Sequence, residues 1–261
     1  MRSFRSAFGH LPAALVALLL LAQPALAHPT SSELAGKFAR GDYLTAAADA
    51  ETAAGADDLA FAARALLAHC MTGNSDLDAA IVERAVRDAE AALKEDPGHE
   101  EAQLQLAIAL SLKSRDMEAM AAWTAGYGER GKKLAEEVLK SDPRNFYAHG
   151  FLAVWNIEVE RRGGSMGAWM MGASLDHARR HYEAARQLAP DDVGVHWQYA
   201  RALAALDLKR FQGEVKSALE RAAASAASDH VEQVMQDRAR ALLTALSGNQ
   251  DVAQTLARAM L

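Results

Sequence analysis

Three prolines at nearly equal spacing constrain the fold of this chain more than any other feature of its sequence. Pro97, Pro143 and Pro190 lie 46 and 47 residues apart. Each follows a stretch with a helical pattern, over residues 85–96, 131–142 and 178–189. Because the proline ring cannot continue the hydrogen-bond ladder of a helix, each of these helices should end there. Another helical pattern begins a few residues later, so the spacing predicts a repeated unit built from helices.

Residue size also recurs at fixed distances from these prolines. Small residues lie ten residues after each proline and twelve residues before it: Ala107, Ala153, Ala200, Ala85, Gly131 and Ala178. Large residues lie nine residues after each proline: Leu106, Leu152 and Tyr199. Small side chains let two helices approach closely, and large side chains fill the groove between them. The pattern therefore predicts helix pairs that pack through alanine-rich faces.

The pattern resembles the tetratricopeptide repeat, which has a large–Leu–small–large first helix, an Ala-x3-large second helix and a closing proline. Ala178, Tyr182, Ala185 and Pro190 fall at its four second-helix positions. The tetratricopeptide period is about 34 residues, so these repeats are longer, and HEAT-like repeats fit by length alone. The resemblance implies an all-α fold, a right-handed α-solenoid of about six antiparallel helix pairs. The predicted pairs cover 31–54, 57–96, 99–142, 145–189, 192–224 and 229–261.

The N-terminus has the features of a cleaved signal peptide over residues 1–27. Arg2 and Arg5 precede an apolar run over 11–21, and Pro24 is followed by a small-residue cleavage site at 25–27. The run is too short to span a bilayer comfortably. We therefore expect export to the periplasm, one helical repeat domain over 28–261 and no membrane span after cleavage.

Charge and cysteine content exclude several classes of function. The net charge is −6, and the signal peptide carries two arginines and no acid, so the mature chain has a charge of −8. Such an acidic chain is a poor candidate for binding nucleic acid. The one cysteine, Cys70, cannot form an internal disulfide or a Cys-x-x-Cys metal site.

Motifs that carry catalysis are missing from the sequence. There is no glycine-rich phosphate loop, no Gly-x-Ser-x-Gly elbow and no His-Glu-x-x-His pair. His177 and His181 are four residues apart and share a helix face, but two ligands are too few for a metal site. We therefore predict no enzyme activity, no cofactor and no metal. His149 and His196 lie six residues after their prolines, where they either pack or face a ligand.

The residues beyond the usual repeat length form two inserts, 122–128 and 163–172, both punctuated by glycine. The second carries Trp169, Met170 and Met171, and it either contacts an apolar partner or folds back into the concave groove. We predict a non-catalytic periplasmic scaffold or adaptor that binds a protein or peptide partner in its groove. The residues expected to contact the partner are Tyr147, His149, Trp155, Trp169, Met170, Met171 and His196.

A second hypothesis is a small-molecule binding protein. The chain is loosely similar to helical-repeat subunits associated with TRAP-type transporters and to repeats of the regulator-of-microtubule-dynamics type. That similarity implies a pocket for an apolar or amphipathic ligand beneath the inserts, with Trp169 as its lid.

Overall fold

Helices account for all the regular structure of the described residues. The computed structural model of the chain describes residues 32–73, 77–115 and 117–260. The predicted signal peptide and the start of the first predicted pair lie outside this part. The twelve helices found here are α1 (Ser32–Ala39), α2 (Tyr43–Ala53), α3 (Ala56–Thr72), α4 (Ala79–Glu95), α5 (Glu100–Ser114), α6 (Ala119–Thr124), α7 (Tyr127–Ser141), α8 (Phe146–Met171), α9 (Leu175–Leu188), α10 (Val193–Ala224), α11 (His230–Gly248) and α12 (Gln250–Ala259). The all-α prediction is confirmed.

Each of the three prolines lies in the short connection between two helices, as predicted. Pro97 separates α4 from α5, Pro143 separates α7 from α8, and Pro190 separates α9 from α10. The helix after the connection is capped by a polar side chain: Asn145 accepts a hydrogen bond from Ala148 N at 3.0 Å, and Asp192 accepts one from Val195 N at 2.7 Å. Each cap satisfies a donor that a new helix leaves unpaired, so the sequence specifies both where one helix stops and where the next begins.

The repeated small residues lie at helix contacts. Ala107, Ala153 and Ala200 are at most 1% exposed. Gly131 of α7 lies so close to α5 that a Cβ atom there would be 3.5 Å from the carbonyl oxygen of Ala107. Within the predicted pairs at 57–96, 99–142 and 145–189 the two main helices contact each other, α3 with α4, α5 with α7 and α8 with α9. The first helices of neighbouring pairs also touch, α3 with α5 and α8 with α10.

Both inserts differ from a simple loop. The first overlaps the end of the short helix α6, and the second forms a short helix after Gly164 that ends at Met171. Gly164 interrupts α8 with φ 60° and ψ −167°, a conformation that a side chain would strain. The first helix of α8 therefore ends at this glycine, and the short helix after it doubles back, so that Ser174 N lies 2.9 Å from Asn156 Oδ1. The range α10 contains two helices that meet at the non-helical Asp207. Tyr199 OH donates to Glu214 Oε2 at 3.1 Å across this break, so the chain doubles back there, as the predicted pair at 192–224 requires.

The C-terminal part of the chain packs against the N-terminal part. Helix α11 contacts α1 and α3. Met71 and Val231 pack against both of the two largest hydrophobic clusters, one from each half of the chain. Arg238 of α11 donates to the carbonyl oxygen of Gly73 at 2.9 Å, and Tyr43 OH lies 3.0 Å from Nδ1 of His230. The first and last parts of the described array therefore contact each other directly.

A substitution at Gly41 tests the contact between the first and last helices of the described chain. The φ of Gly41 is +89°, and a Cβ atom there would lie 2.6 Å from Nδ1 of His230. We expect Gly41→Ala to lower the free energy of unfolding by about 1–2 kcal/mol, from backbone strain together with displacement of His230. Urea denaturation measures the change. Gly150→Ala is the control, because a Cβ atom at this helical glycine would meet its nearest neighbour at an ordinary 3.7 Å. An equal loss in both variants would contradict the expectation.

Candidate functional site

An exposed apolar surface lies on the two inserts, and we call it the insert face. It consists of five large side chains, with their exposed fractions: Met120 66%, Trp123 48%, Met166 69%, Trp169 79% and Met170 49%. Side chains of this size usually lie inside a protein, so their exposure on α6 and on the second insert is typical of a binding surface. Of the two alternatives for the second insert, the structure has the exposed one.

The helical register of the second insert explains why one face is exposed. Met166, Trp169 and Met170 are three and four residues apart, which places them on the same side of the helix. Ala168 and Ala173, at 4% and 8% exposure, pack with the buried Trp155 in a small cluster of their own. The small residues anchor the insert, and the large ones are left facing outward.

Hydrogen bonds fix the insert against the preceding helices. Trp155 Nε1 donates to the carbonyl oxygen of Gly128 at 2.8 Å, and Lys132 lies 5.1 Å from the centre of the Trp155 ring. Asn156 Oδ1 accepts a hydrogen bond from Ser174 N at 2.9 Å, just after the insert. Trp155 was predicted as a partner contact, and the structure places it beneath the insert. The insert face therefore rests on a fixed base.

The two segments of the insert face are neighbours. Arg162, just before the break in α8, donates to the carbonyl oxygen of Met117 at 2.6 Å and to Ser114 Oγ at 3.3 Å. On the other side of α6, a Cβ atom at Gly128 would lie 3.1 Å from Met171 Cε. The chain entering and leaving α6 thus contacts both ends of the second insert. Met171 is half-buried in this contact, although it was predicted to face a partner.

His149 and His196 bind the turns that their prolines create. Nε2 of each ring lies close to the carbonyl oxygen of the proline six residues earlier, at 3.2 Å for His149 and 2.8 Å for His196. Because a carbonyl only accepts, Nε2 carries the proton in both rings. Gln103 Nε2 donates to Pro97 O at 3.0 Å in the first repeat, so this position has the same role three times.

The other nitrogen of each histidine contacts the following helix. Nδ1 of His149 lies 3.0 Å from Nδ1 of His181, and Nδ1 of His196 accepts from Tyr182 OH at 2.8 Å. Burial, together with His149 nearby, lowers the pKa of His181 to about 4, so this ring stays neutral at ordinary pH. In the described ranges no three His, Cys, Asp or Glu side chains are grouped as metal ligands would be. These contacts give both predicted histidines a packing role.

Tyr147 faces the interior of the array. Its side chain is 41% exposed, yet burial raises the pKa of its hydroxyl, and the charges of Asp192, Glu101, Arg64 and Glu232 all act on it. Those four residues belong to or cap four different helices: α10, α5, α3 and α11. Tyr147 is therefore an accessible residue of α8 that feels charges from four other helices.

A concavity lies between α9 and α10, with a volume of about 470 Å³. Four of its five charged side chains are already paired, and Arg221 has no ion pair among the described residues. Arg179 Nη2 lies 2.8 Å from Glu214 Oε1, and Arg186 Nη2 lies 2.6 Å from Glu183 Oε2. A ligand entering there would have to displace these pairs, so this cleft is the weaker candidate.

Comparison with known proteins does not add to this geometry. No protein-family model matches the chain, and no curated protein matches it significantly. Among the described helices, none is both long enough and apolar enough to cross a membrane.

The sequence predicted Tyr147, Trp169 and Met170 as contact residues, and all three are accessible. It did not point to Met120 or Met166, which are also exposed. A signal for Met166 was present, because it lies three residues before Trp169 on the same helix face. No sequence signal marked Met120, since its exposure depends on how α6 packs.

Proposed function

We propose that this protein is a non-catalytic periplasmic scaffold or adaptor, and that it binds a protein partner through the insert face. The observation that carries the proposal is the outward position of Trp169, which is 79% exposed on a segment anchored from below. Exposed tryptophan is costly to leave in water and contributes strongly to protein interfaces. A rigid base lowers the entropy lost on binding, which favours affinity further.

The contact surface differs from the concave groove that the repeat resemblance implies. Since α11 contacts α1 and α3, an extended peptide has no obvious open channel between the first helices. The side chains of the insert face are already exposed, so a partner can reach them without any opening of the fold. A partner with a short apolar helix suits it, because Met side chains adapt their shape to the surface they contact.

We also propose that the helix pairs form a right-handed solenoid of the tetratricopeptide kind, folded so that its ends touch. The contacts of α3 with α5 and of α8 with α10 support stacked first helices, and the contacts of α4 with α5 and of α7 with α8 support stacked pairs. In this arrangement the inserts project from one region of an otherwise regular array.

The alternative, an apolar ligand under a Trp169 lid, has less support from the geometry. A lid would lose its solvent exposure against the pocket that it covers. The insert side chains instead remain exposed, and the small residues beneath them leave no described apolar cavity at that point.

Removal of the exposed tryptophan tests the proposed function. We expect the mature protein to recover at least one partner from periplasmic extract, and Trp169→Ala to reduce that recovery about 10-fold or more, since an interface tryptophan contributes about 2 kcal/mol or more. Quantitative mass spectrometry of the bound fraction measures the change.

Val252→Ala is the matched control. Val252 is 58% exposed and lies on α12, outside the insert face. Its variant should recover the partner as well as the wild type does, and both variants should keep the wild-type Tm. A photo-crosslinker placed at Met166 should then join the same partner. Equal recovery with wild type and Trp169→Ala would contradict the proposed role of the insert face.

A further inference from the structure

The methionines of this chain fall into two groups by exposure. The chain has nine of them, and all but Met1 lie among the described residues. Three are exposed, Met120 at 66%, Met166 at 69% and Met170 at 49%, and all three belong to the insert face. The others are buried or half-buried: Met71, Met117, Met171, Met235 and Met260. Within the described ranges, exposed methionine is therefore confined to the surface proposed to bind a partner.

Packing shields most of the remaining methionines. Met235 is 6% exposed in the largest hydrophobic cluster, and Met260 packs against the same cluster. Met171 packs against the small cluster of Trp155, and Met71 packs against both of the largest clusters. Because an oxidant in solution must reach the sulfur atom, these side chains should react more slowly than those of the insert face.

The one thiol of the chain competes poorly for an oxidant. Cys70 is half-buried on α3, and burial raises the pKa of its thiol to about 11. Since the thiolate is the reactive form of cysteine, Cys70 stays in the less reactive protonated form at neutral pH. The thioethers of the insert face are therefore the most accessible sulfur side chains of the described part of the chain.

Oxidation changes the polarity of a methionine tip. The thioether sulfur loses two electrons and gains one oxygen atom to become a sulfoxide, while hypochlorous acid is reduced to chloride and a proton is released. A sulfoxide accepts hydrogen bonds, so burying it against an apolar partner without a donor costs free energy. Met166 and Met170 lie on the same side of the helix as Trp169, so two sulfoxides make the surroundings of this tryptophan polar.

We propose that Met120, Met166 and Met170 form a reversible oxidation site, at which hypochlorous acid turns the insert face from apolar to polar and so releases the bound partner. The release rests on the proposed function of the insert face, whereas the selectivity of oxidation rests on exposure alone. Methionine sulfoxide reductases convert the sulfoxide back to the thioether, which makes the change reversible. The periplasm proposed for this protein is an oxidising compartment.

The selectivity of oxidation is tested without any partner. The purified mature protein is treated with limiting hypochlorous acid, and each methionine is followed by peptide mass spectrometry. We expect sulfoxide at Met120, Met166 and Met170 before it appears at Met235 and Met260, with no change in Tm. The oxidised protein should also elute earlier from a phenyl resin, because its surface is less apolar. Sulfoxide formation at equal rates in the exposed and the shielded methionines overturns the oxidation site.

The effect on binding is measured by recovery of the partner from periplasmic extract after the oxidant is quenched. Oxidation of the wild type should lower the recovery about 10-fold or more, since a buried sulfoxide without a donor costs as much as an unpaired polar group. Methionine sulfoxide reductases of both stereospecificities should restore the recovery. Restoration separates sulfoxide formation from oxidation of Trp169, which these enzymes do not reverse.

A triple substitution, Met120→Leu, Met166→Leu and Met170→Leu, keeps the face apolar and removes its sulfur. This variant should recover the partner equally well before and after oxidation, since leucine resembles methionine in size and helix propensity. Met260→Leu is the matched control. It removes a methionine outside the insert face, so its recovery should fall on oxidation as far as that of the wild type.

The two proposals fail in different ways. An equal loss of recovery on oxidation in the wild type and in the triple variant overturns the release by methionine oxidation and leaves the proposed function intact. If the proposed function itself is wrong, the unoxidised wild type recovers no partner. The release is then rejected with it, and the peptide map still decides whether Met120, Met166 and Met170 are the oxidation site.

Discussion

Replacing Ala153 by tryptophan should lower the free energy of unfolding by roughly 1–3 kcal/mol or more. Ala153 is 1% exposed and lies in the largest hydrophobic cluster, together with Ile157, Trp197 and Ala200. The position is the contact between α8 and α10, where a methyl group fills the available room. An indole ring there must push the two helices apart or adopt a strained rotamer.

Urea denaturation followed by circular dichroism measures this loss. Ala48→Trp is the control, because Ala48 is an exposed alanine in the middle of α2, and an added ring there points to solvent. It should change the stability by no more than about 0.5 kcal/mol. An unchanged denaturation midpoint for Ala153→Trp would mean that the repeat alanine is not a close helix contact.

Replacing Asp88 by asparagine should raise the free energy of unfolding at pH 8, by about 1–3 kcal/mol, and change it little at pH 4. Burial, with the nearby charge of Glu51, raises the pKa of Asp88 from 3.8 to about 7. Its Oδ2 atom is buried and has no hydrogen-bond partner among the described residues. The charges of Arg84 and Arg87 lower the pKa of Asp88, but Arg84 already donates to both oxygens of Glu51.

The sign follows from which state holds the proton. Between about pH 4 and pH 7 the folded protein keeps Asp88 protonated, while the unfolded chain has released the proton. The wild type therefore loses stability as the pH rises through this window, and above pH 7 it carries the full cost of a buried carboxylate. A pKa shift of one unit corresponds to about 1.4 kcal/mol in the free energy of unfolding. Relaxation of the structure around Glu51 makes the stabilisation by Asp88→Asn smaller than the whole pKa shift would give.

Stability curves measured at several pH values from 4 to 8 test this expectation. Asp237→Asn is the control, because Asp237 is an exposed helical aspartate paired with Arg240. The difference between Asp88→Asn and wild type should grow with pH, and the control should show no such trend. A pH-independent difference would mean that Asp88 does not titrate in this range.

Local chemistry along the chain determined where the helices begin and end. The three prolines stop helices because a ring cannot donate a hydrogen bond, and that effect does not depend on the rest of the fold. The alanines at 107, 153 and 200 showed in the same way which faces touch, since only small side chains allow the close approach that is observed. Gly163 and Gly164 marked a change in the chain direction, although the sequence did not show that helix would continue beyond it.

Tertiary structure alone decided the surfaces on which function depends. Trp155 and Trp169 are both tryptophans near glycines, yet one is buried and the other is 79% exposed. The difference comes from Ala168 and Ala173, which turn one face of the insert inward. Arg238 and Gly73 are 165 residues apart in sequence and become neighbours because α11 packs back onto α3. Sequence patterns report contacts between adjacent helices, whereas contacts between the first and last helices depend on how the whole array closes.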